Sequence, residues 1–222
     1  MYEKYVKRLL DIMFSFIILI LLMPIWLVIT FAVVLDSPGS PIFRQERVGL
    51  GGQTFTLYKF RTMIPDAHKY GKGFYFEGED DWRITRVGRV LRKLSLDEIP
   101  QFFNVLKGDM SVVGPRPMLP YQYEYLSEQQ RRRFSVRSGI TGLAQVSGRN
   151  KLPWSERIKL DVEYVNSLSF GMDVSIVFQT LAVCFKRRDI SYDVSSDEIE
   201  DFMPKGGSRN EHHGEEGVSK GT

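Results

Sequence analysis

The chain has a single cysteine, Cys184, among its 222 residues, which excludes an internal disulfide and a cysteine-based metal site. Histidine is almost as scarce, and His212 and His213 lie in a polar tail where no metal site is expected. The lack of paired cysteines is typical of a globular part in a reducing compartment such as the cytoplasm. The formal net charge is only +3, which permits an anionic partner but gives no reason to expect nucleic acid.

Charged residues are missing from residues 12–35, which form a long apolar run. As a straight helix this run would be about 36 Å long, enough for a hydrocarbon core of ~30 Å. Pro24 lies near its middle, where proline removes a backbone donor and clashes with the preceding turn. Cations flank the run on both sides, so the positive-inside rule draws both of its ends to the cytoplasm.

Two arrangements of this run remain open. A helix that enters the membrane, bends at Pro24 and leaves on the same side satisfies the rule at both ends. A single spanning helix with a tolerated proline kink is the alternative. A cleaved signal peptide is disfavoured because the run is too long and no small-x-small site follows it. We favour the re-entrant helix, with residues 1–40 as the membrane domain.

Beyond residue 40 the pattern predicts a mainly α-helical domain with one small β-hairpin. Residues 42–48 and 53–63 are rich in β-forming residues and flank the glycine-rich residues 49–52, which indicates the hairpin. Residues 65–81 are polar and contain three glycines, which is typical of a loop over a site.

Four further segments are predicted as helices. Apolar residues recur at helical spacing after Trp82, in residues 119–136 and in residues 154–168. Asp173 stands where it would cap a last helix, which is either an amphipathic helix on the bilayer surface or a core helix. Residues 203–222 have no periodicity and are predicted to be a disordered tail, so the globular domain is predicted to span residues 41–202.

Adjacent acids, Asp97 and Glu98, precede an apolar helix and allow two interpretations. In the first, Ser95 and Glu98 form a capping box while Asp97 interacts with the helix dipole. In the second, Asp97 is a nucleophile and Glu98 assists with a metal ion or a proton. The arginines that crowd the preceding helix favour the second interpretation, since a cap needs no ring of guanidinium groups.

Phosphoryl transfer accounts for this collection of residues. Arginines hold phosphate oxygens bidentately and neutralise charge in the transition state. A hard cation such as Mg²⁺ bridges carboxylates and phosphates. A helix N-terminus favours anions and would keep Asp97 ionised, so that its carboxylate can attack phosphorus and form an acyl phosphate.

Two other places could carry chemistry. Gly139, Gly142 and Gly148 indicate a flexible loop with a cation at either end, able to wrap a phosphate or a ribose. Asp161 follows Arg157 by four residues on a predicted helix, which by itself indicates an i,i+4 ion pair.

Several ordered motifs resemble the bacterial sugar transferases, the small monotopic phosphoglycosyl transferases that start glycan assembly on polyprenyl phosphate. The resemblance covers nearly all of residues 2–188. The motifs are KRLLD at residues 7–11, YKFRTM at 58–63, RKLSLDEIPQ at 92–101, NVLKGDMS at 104–111, VGPRP at 113–117, GITG at 139–142 and LDVEY at 160–164.

The resemblance implies a re-entrant membrane helix, amphipathic surface helices and a compact cytoplasmic core at the bacterial inner membrane. It also implies a ping-pong reaction. Asp97 would attack the β-phosphorus of a UDP-sugar and release UMP, and polyprenyl phosphate would then take the phosphosugar. The product starts an exopolysaccharide, O-antigen, capsule or glycoprotein glycan.

The same resemblance implies roles for individual residues. Glu98 is the dyad partner of Asp97, and Mg²⁺ lies near Asp97. Pro24 breaks the membrane helix, although a methionine stands before it where relatives often have serine. Phosphate or nucleotide contacts are implied for Lys59, Arg61, Arg92, Arg116, Arg137, Arg149 and Asp161. A position at the bilayer surface near the lipid phosphate is implied for Lys7, Arg8 and Asp11.

Two other functions remain compatible with the residues. Clustered arginines would also suit a membrane-anchored basic module that binds anionic lipid without catalysis, and a lipid phosphatase would use water as the acceptor. Aromatic residues are too sparse among the arginines for a nucleic-acid stacking surface. Neither the sugar nor the oligomeric state follows from the sequence.

Overall fold

A computed structural model of the chain describes residues 2–70, 81–148 and 152–186. Within these ranges the chain is mainly helical, as predicted, and carries two separate two-stranded sheets. The helices are α1 (Lys7–Leu21), α2 (Met23–Asp36), α3 (Arg86–Leu94), α4 (Gln101–Lys107), α5 (Pro120–Glu124), α6 (Glu128–Arg131), α7 (Leu143–Ser147), α8 (Trp154–Ser167) and α9 (Phe170–Lys186). The strands are β1 (Ile42–Val48), β2 (Thr54–Phe60), β3 (Met110–Val113) and β4 (Ser138–Thr141).

The uncharged run folds as two helices rather than one. Helices α1 and α2 meet at Leu22 and are bent by 63°. Pro24 occupies the first turn of α2, where its missing N–H costs no helical hydrogen bond. In the described ranges no single helix has the length and apolarity to cross a membrane, whereas the bent pair together meets both criteria.

The second half of this pair packs onto the rest of the protein. Ile29 and Val33 of α2 join one buried cluster with Phe60 of β2, Leu91 of α3 and Ile99. Most other apolar side chains of α1 and α2 are exposed, with Val28 and Phe31 about two-thirds accessible. The helix pair therefore combines a core-facing edge with a large uncovered apolar surface.

The predicted hairpin is confirmed, with β1 and β2 antiparallel. Phe43 lies opposite Lys59, and Arg47 lies opposite Phe55. Because side chains alternate along a strand, Gln45, Arg47 and Lys59 share one face of the hairpin.

A second sheet was not predicted. Strands β3 and β4 are parallel, with Ser111 opposite Gly139, and the backbone N–H of Gly114 extends the pairing by donating to Thr141 at 2.8 Å. The predicted flexible glycine loop is therefore wrong over residues 138–147, which form β4 and α7. A Cβ on Gly139 would lie 2.1 Å from the Gly114 nitrogen, so glycine is needed here for the close approach of two backbones.

We expect Gly139→Ala to lower the free energy of unfolding by about 1–3 kcal/mol, since the added methyl group meets backbone atoms that cannot rotate away. Gly171→Ala is the matched control, because Gly171 is helical and a Cβ there would contact nothing within 4 Å. Thermal unfolding of both variants in detergent measures the difference. Equal melting temperatures for Gly139→Ala and wild type would contradict the close approach.

The helix predicted over residues 119–136 needs correction. It is divided into α5, α6 and a 3-10 turn (Arg132–Ser135). Ser127 starts α6 in a capping box, in which its hydroxyl accepts from the Gln130 N–H and the Gln130 side chain accepts from the Ser127 N–H. A new N-cap inside an apolar pattern ends one helix and begins another.

The last two helices are confirmed, but Asp173 is not the cap of α9. Helix α9 begins at Phe170, and the Ser169 hydroxyl accepts the Met172 N–H at 3.3 Å. Asp173 is buried and pairs with Lys7 at 2.7 Å. Ile176 faces the core while Phe178 is exposed, so α9 has one packed face and one open face. The predicted tail at residues 203–222 lies outside the described residues.

Candidate active site

A tight reversal of the chain presents Asp97 and Glu98. Helix α3 ends at Leu94, and Ser95 adopts a left-handed conformation with φ 55° and ψ 22°. The 3-10 turn Leu96–Glu98 follows directly. The capping box, which was the alternative interpretation, does not form, because Ser95 makes no side-chain cap and instead ends α3 by donating its backbone N–H to the Arg92 carbonyl at 3.0 Å. Positive φ at a non-glycine residue stores strain that is typical of functional sites.

Two cations from different elements hold Glu98. Its Oε1 atom accepts from Lys59 Nζ at 3.3 Å and from Arg116 Nη2 at 2.9 Å. Burial alone would raise the pKa of Glu98, but Arg116 and Lys59 outweigh burial and lower it to about 2. Glu98 is therefore ionised at neutral pH, and through Lys59 and Arg116 it links strand β2 to the loop after β3.

Among the described residues, Asp97 has no such partners. In the described part of the chain, no hydrogen bond or ion pair engages its half-buried carboxylate. Burial raises the pKa of Asp97, and the negative charge of Glu98 adds to this, while Lys59, Arg92 and Arg116 act to lower it. The expectation that a helix N-terminus keeps Asp97 ionised needs correction, because burial and the Glu98 charge raise the pKa of Asp97 by more than the three cations lower it. A partly desolvated carboxylate with free oxygens is suited to nucleophilic attack.

The two arginines of the YKFRTM and RKLSLDEIPQ motifs have different surroundings. The Arg92 Nε atom donates to the Thr62 hydroxyl at 2.8 Å, and its charge acts on Asp97. Arg61 instead donates to the backbone carbonyls of Ser37 and Pro38. Those contacts tie Arg61 to the end of α2, at a turn rather than at the carboxylates.

Asp161 lies in the interior and pairs with Arg133. Both side chains are about 1–2% exposed, and the Nη2–Oδ2 distance is 2.5 Å. Burial raises the pKa of Asp161 to about 6, against the opposing charges of Arg133 and Arg157. The predicted i,i+4 pair with Arg157 is corrected by this contact, because the Arg157 Nε atom donates to the Leu152 carbonyl at 2.7 Å instead.

A second group of predicted residues lies at the other end of α4 from Asp97. Arg8 donates to the carbonyls of Val105 and Leu106 at 2.6 and 3.0 Å, and Arg137 donates to Gly108 at 2.9 Å. Asp11 accepts the Val112 N–H at 3.1 Å. Together with the Lys7–Asp173 pair, the Arg8 and Asp11 contacts hold α1 to the core. Arg149 lies outside the described residues.

Arg47 was missed by the sequence reasoning. Its guanidinium donates to the Pro117 carbonyl at 3.3 Å and to the Gln45 side chain at 2.7 Å, and its charge acts on Lys59. The alternation of the predicted hairpin was an available signal, because it places Arg47 and Lys59 on one face.

A metal ion would have to use few protein ligands. The described residues contain no group of three or more acidic, histidine or cysteine side chains able to hold one. Magnesium bound with a diphosphate normally takes one or two carboxylates, with phosphate oxygens and water completing the octahedron. Asp97 fits this donor set, with Glu98 beside it.

Comparison with known proteins gives a consistent result over most of the chain. The family model described as bacterial sugar transferase matches residues 2–187. The chain is 46% identical over 176 residues to the uncharacterized sugar transferase EpsL of Bacillus subtilis, covering 79% of this chain and 85% of EpsL.

Two further relatives have more specific names. The chain is 39% identical over 203 residues to the undecaprenyl-phosphate galactose phosphotransferase of Salmonella typhimurium, covering 86% of this chain. It is 42% identical over 186 residues to the UDP-N-acetylgalactosamine-undecaprenyl-phosphate N-acetylgalactosaminephosphotransferase of Aeromonas hydrophila, covering 80% of this chain. The matched regions span only 42% and 43% of those two relatives.

Proposed function

The chain belongs to the bacterial sugar transferase family and is a phosphoglycosyl transferase, and on this basis we propose that it transfers a sugar 1-phosphate from a UDP-sugar to undecaprenyl phosphate through an aspartyl intermediate. The observation that carries the proposal is the Asp97 carboxylate, which is free of hydrogen bonds in the described ranges and lies within the fields of Lys59, Arg92 and Arg116.

The proposed reaction has two displacements at one phosphorus atom. An Asp97 oxygen bonds to the β-phosphorus, the bond from phosphorus to the bridging oxygen breaks, and UMP leaves with that oxygen. An oxygen of the lipid phosphate then attacks the same phosphorus, and the bond from phosphorus to Asp97 breaks. The new bond forms the diphosphate of the lipid-linked sugar. Each step moves negative charge that the neighbouring guanidinium groups stabilise.

Magnesium is part of the proposal as a group that Asp97, assisted by Glu98, would hold together with the diphosphate. When bound, such an ion neutralises phosphate charge. Lys59, Arg92 and Arg116 supply the remaining positive charge from the protein itself and would orient the diphosphate toward Asp97.

UMP release in a panel of UDP-sugars, with and without undecaprenyl phosphate, tests the function. We expect one donor to give a release of about one UMP per enzyme without acceptor and continuous release with it. Continuous release with free sugar phosphate as the product would indicate a hydrolase, and no release from any donor would contradict catalysis on UDP-sugars. The panel also identifies the sugar, since the named relatives differ between galactose and N-acetylgalactosamine.

We also propose that α1 and α2 form a re-entrant membrane segment that leaves the globular part on the cytoplasmic face. Both ends of the pair are fixed to the same body, which supports this arrangement. At the start, Arg8 binds the carbonyls at the end of α4. At the end, Asp36 accepts the Val87 N–H at 2.8 Å. The exposed apolar surface between these two ends would lie in lipid.

Cysteine labelling tests this topology. In a Cys184→Ser background, Glu3→Cys and Ser40→Cys should both resist an impermeant maleimide in intact cells and both react in inverted vesicles. Leu21→Cys, at the exposed apolar bend, is the control and should resist labelling in both preparations. Opposite labelling of positions 3 and 40 would mean that the pair crosses the membrane.

A further inference from the structure

In the loop at residues 114–118, the carbonyl oxygens of the last four residues each accept a hydrogen bond from another part of the structure. The Pro115 carbonyl accepts from the Gly139 N–H at 2.9 Å, and the Met118 carbonyl accepts from the Val48 N–H at 2.8 Å. The Arg116 carbonyl accepts from Arg133 Nη2 at 2.7 Å, and the Pro117 carbonyl accepts from Arg47 Nη1 at 3.3 Å. Two of these four donors are arginine side chains. The backbone of the loop is therefore fixed from four directions.

Two prolines explain why side chains are recruited. Pro115 and Pro117 have no N–H and cannot continue a strand ladder, so the carbonyls of this buried loop need donors from outside. Among residues 113–118 only Arg116 is exposed, and its side chain reaches Glu98 at 2.9 Å. The loop thus has a rigid buried backbone and one projecting guanidinium group.

The donor to the Arg116 carbonyl is itself part of a buried ion pair. The same Nη2 atom of Arg133 contacts Asp161 Oδ2 and the Arg116 oxygen. Within the described residues the pair leaves Arg133 Nε, Arg133 Nη1 and Asp161 Oδ1 without hydrogen bonds. Burying an incompletely satisfied ion pair is commonly less stabilising than apolar packing, so stability alone does not account for it.

We propose that Arg133, Asp161 and Arg47 are positioning residues that fix the guanidinium group of Arg116 for phosphoryl transfer. The proposal rests on the function proposed above. Asp161 and Arg133 act through the Arg116 carbonyl from inside the protein, and Arg47 acts through the Pro117 carbonyl from the face of the hairpin. None of the three needs to contact the substrate.

A double-mutant cycle with Arg116 tests the proposal. The paired replacement Arg133→Met with Asp161→Leu removes both buried charges together, so neither is left unpaired. We expect kcat to fall on the order of 10²-fold, because a displacement of the Arg116 guanidinium group by about 1 Å is enough for such a loss. KM for the UDP-sugar should change little. Arg116→Met alone should lose about as much, and adding the paired replacement to it should cost less than about threefold more.

Multiplicative losses would overturn the proposal, because they would mean that the pair acts on the substrate independently of Arg116. A wild-type enzyme that releases no UMP would instead refute the proposed function, so the two failures are distinguishable. Arg132→Met is the matched control, since Arg132 is exposed in the same turn and should retain wild-type kcat.

Two further variants keep the test decisive if the paired replacement does not fold. Arg133→Lys keeps a positive charge whose single nitrogen has three N–H donors and can serve both Asp161 and the Arg116 carbonyl, as Arg133 Nη2 does. We expect this variant to keep kcat within about fivefold of wild type. Arg47→Met in the same cycle with Arg116→Met should also be non-additive. Failure of lysine to recover kcat in a folded protein, or additivity of Arg47→Met, would contradict the positioning role.

Discussion

Asp97→Asn is expected to lower the rate of UMP release by at least about 10³-fold, with the fold unchanged. Asparagine has nearly the same size and shape, but its amide does not attack phosphorus to form an acyl phosphate. The wild-type carboxylate needs no rearrangement, since no described residue binds it by a hydrogen bond or ion pair. The carboxylate is half-buried and burial disfavours its charge, so replacing it with a neutral amide is expected to change the melting temperature little.

Intact-protein mass spectrometry after mixing with UDP-sugar provides the decisive measurement. Wild type should gain the mass of one sugar phosphate when acceptor is omitted, and Asp97→Asn should gain none. Asp66→Asn is the control, because Asp66 is an exposed aspartate paired with Lys69 and its left-handed backbone suits asparagine. Normal turnover by Asp97→Asn would show that another residue, or no residue, carries the phosphosugar.

Sequence patterns correctly predicted the elements that are determined by residues close together in the sequence. The hairpin follows from β-forming residues around a glycine-rich turn, and α8 from apolar residues at helical spacing, and both are confirmed. Strands β3 and β4 could not be found this way, because each has four residues and pairs with a partner far away in the sequence. Two of the glycines that indicate a loop, Gly139 and Gly142, are instead needed for a close approach to the backbone of Gly114.

The alternative capping box at Ser95 and Glu98 is absent for a related reason. The spacing of Ser95 and Glu98 fits the pattern, but tertiary contacts give both residues other partners: Ser95 ends the preceding helix, and Glu98 binds Lys59 and Arg116. A pattern of four residues contains no information about Lys59, which lies 39 residues earlier in the sequence and meets Glu98 only in the folded protein.

The sequence predicted one role, phosphate binding, for most of the arginines, but the fold places them in two kinds of surroundings. Arg116 and Arg92 act on the two carboxylates, whereas Arg61, Arg8 and Arg137 bind backbone carbonyls where helices or turns end. Five guanidinium donors suit either a phosphate or a set of carbonyls, and the sequence does not say which is nearby. Their roles in substrate binding stay predictions.

Glu98→Gln is expected to lower kcat by about 10²–10³-fold. The glutamate joins Lys59 and Arg116 through one oxygen atom, and a neutral amide attracts both cations less strongly. Lys59 and Arg116 would then lose the common anion that holds them beside Asp97. Single-turnover UMP release measures this loss, and Glu128→Gln, at the exposed start of α6, is the control.

The pH dependence of this variant separates two roles for Glu98. With a pKa of about 2, Glu98 is a poor general base, and a lipid phosphate is already largely ionised near neutral pH. An electrostatic role therefore remains. The Glu98 charge raises the pKa of Asp97, so its removal should lower that pKa and move the acidic limb of kcat/KM to lower pH. An acidic limb that disappears in Glu98→Gln would show instead that protonation of Glu98 itself controls the reaction.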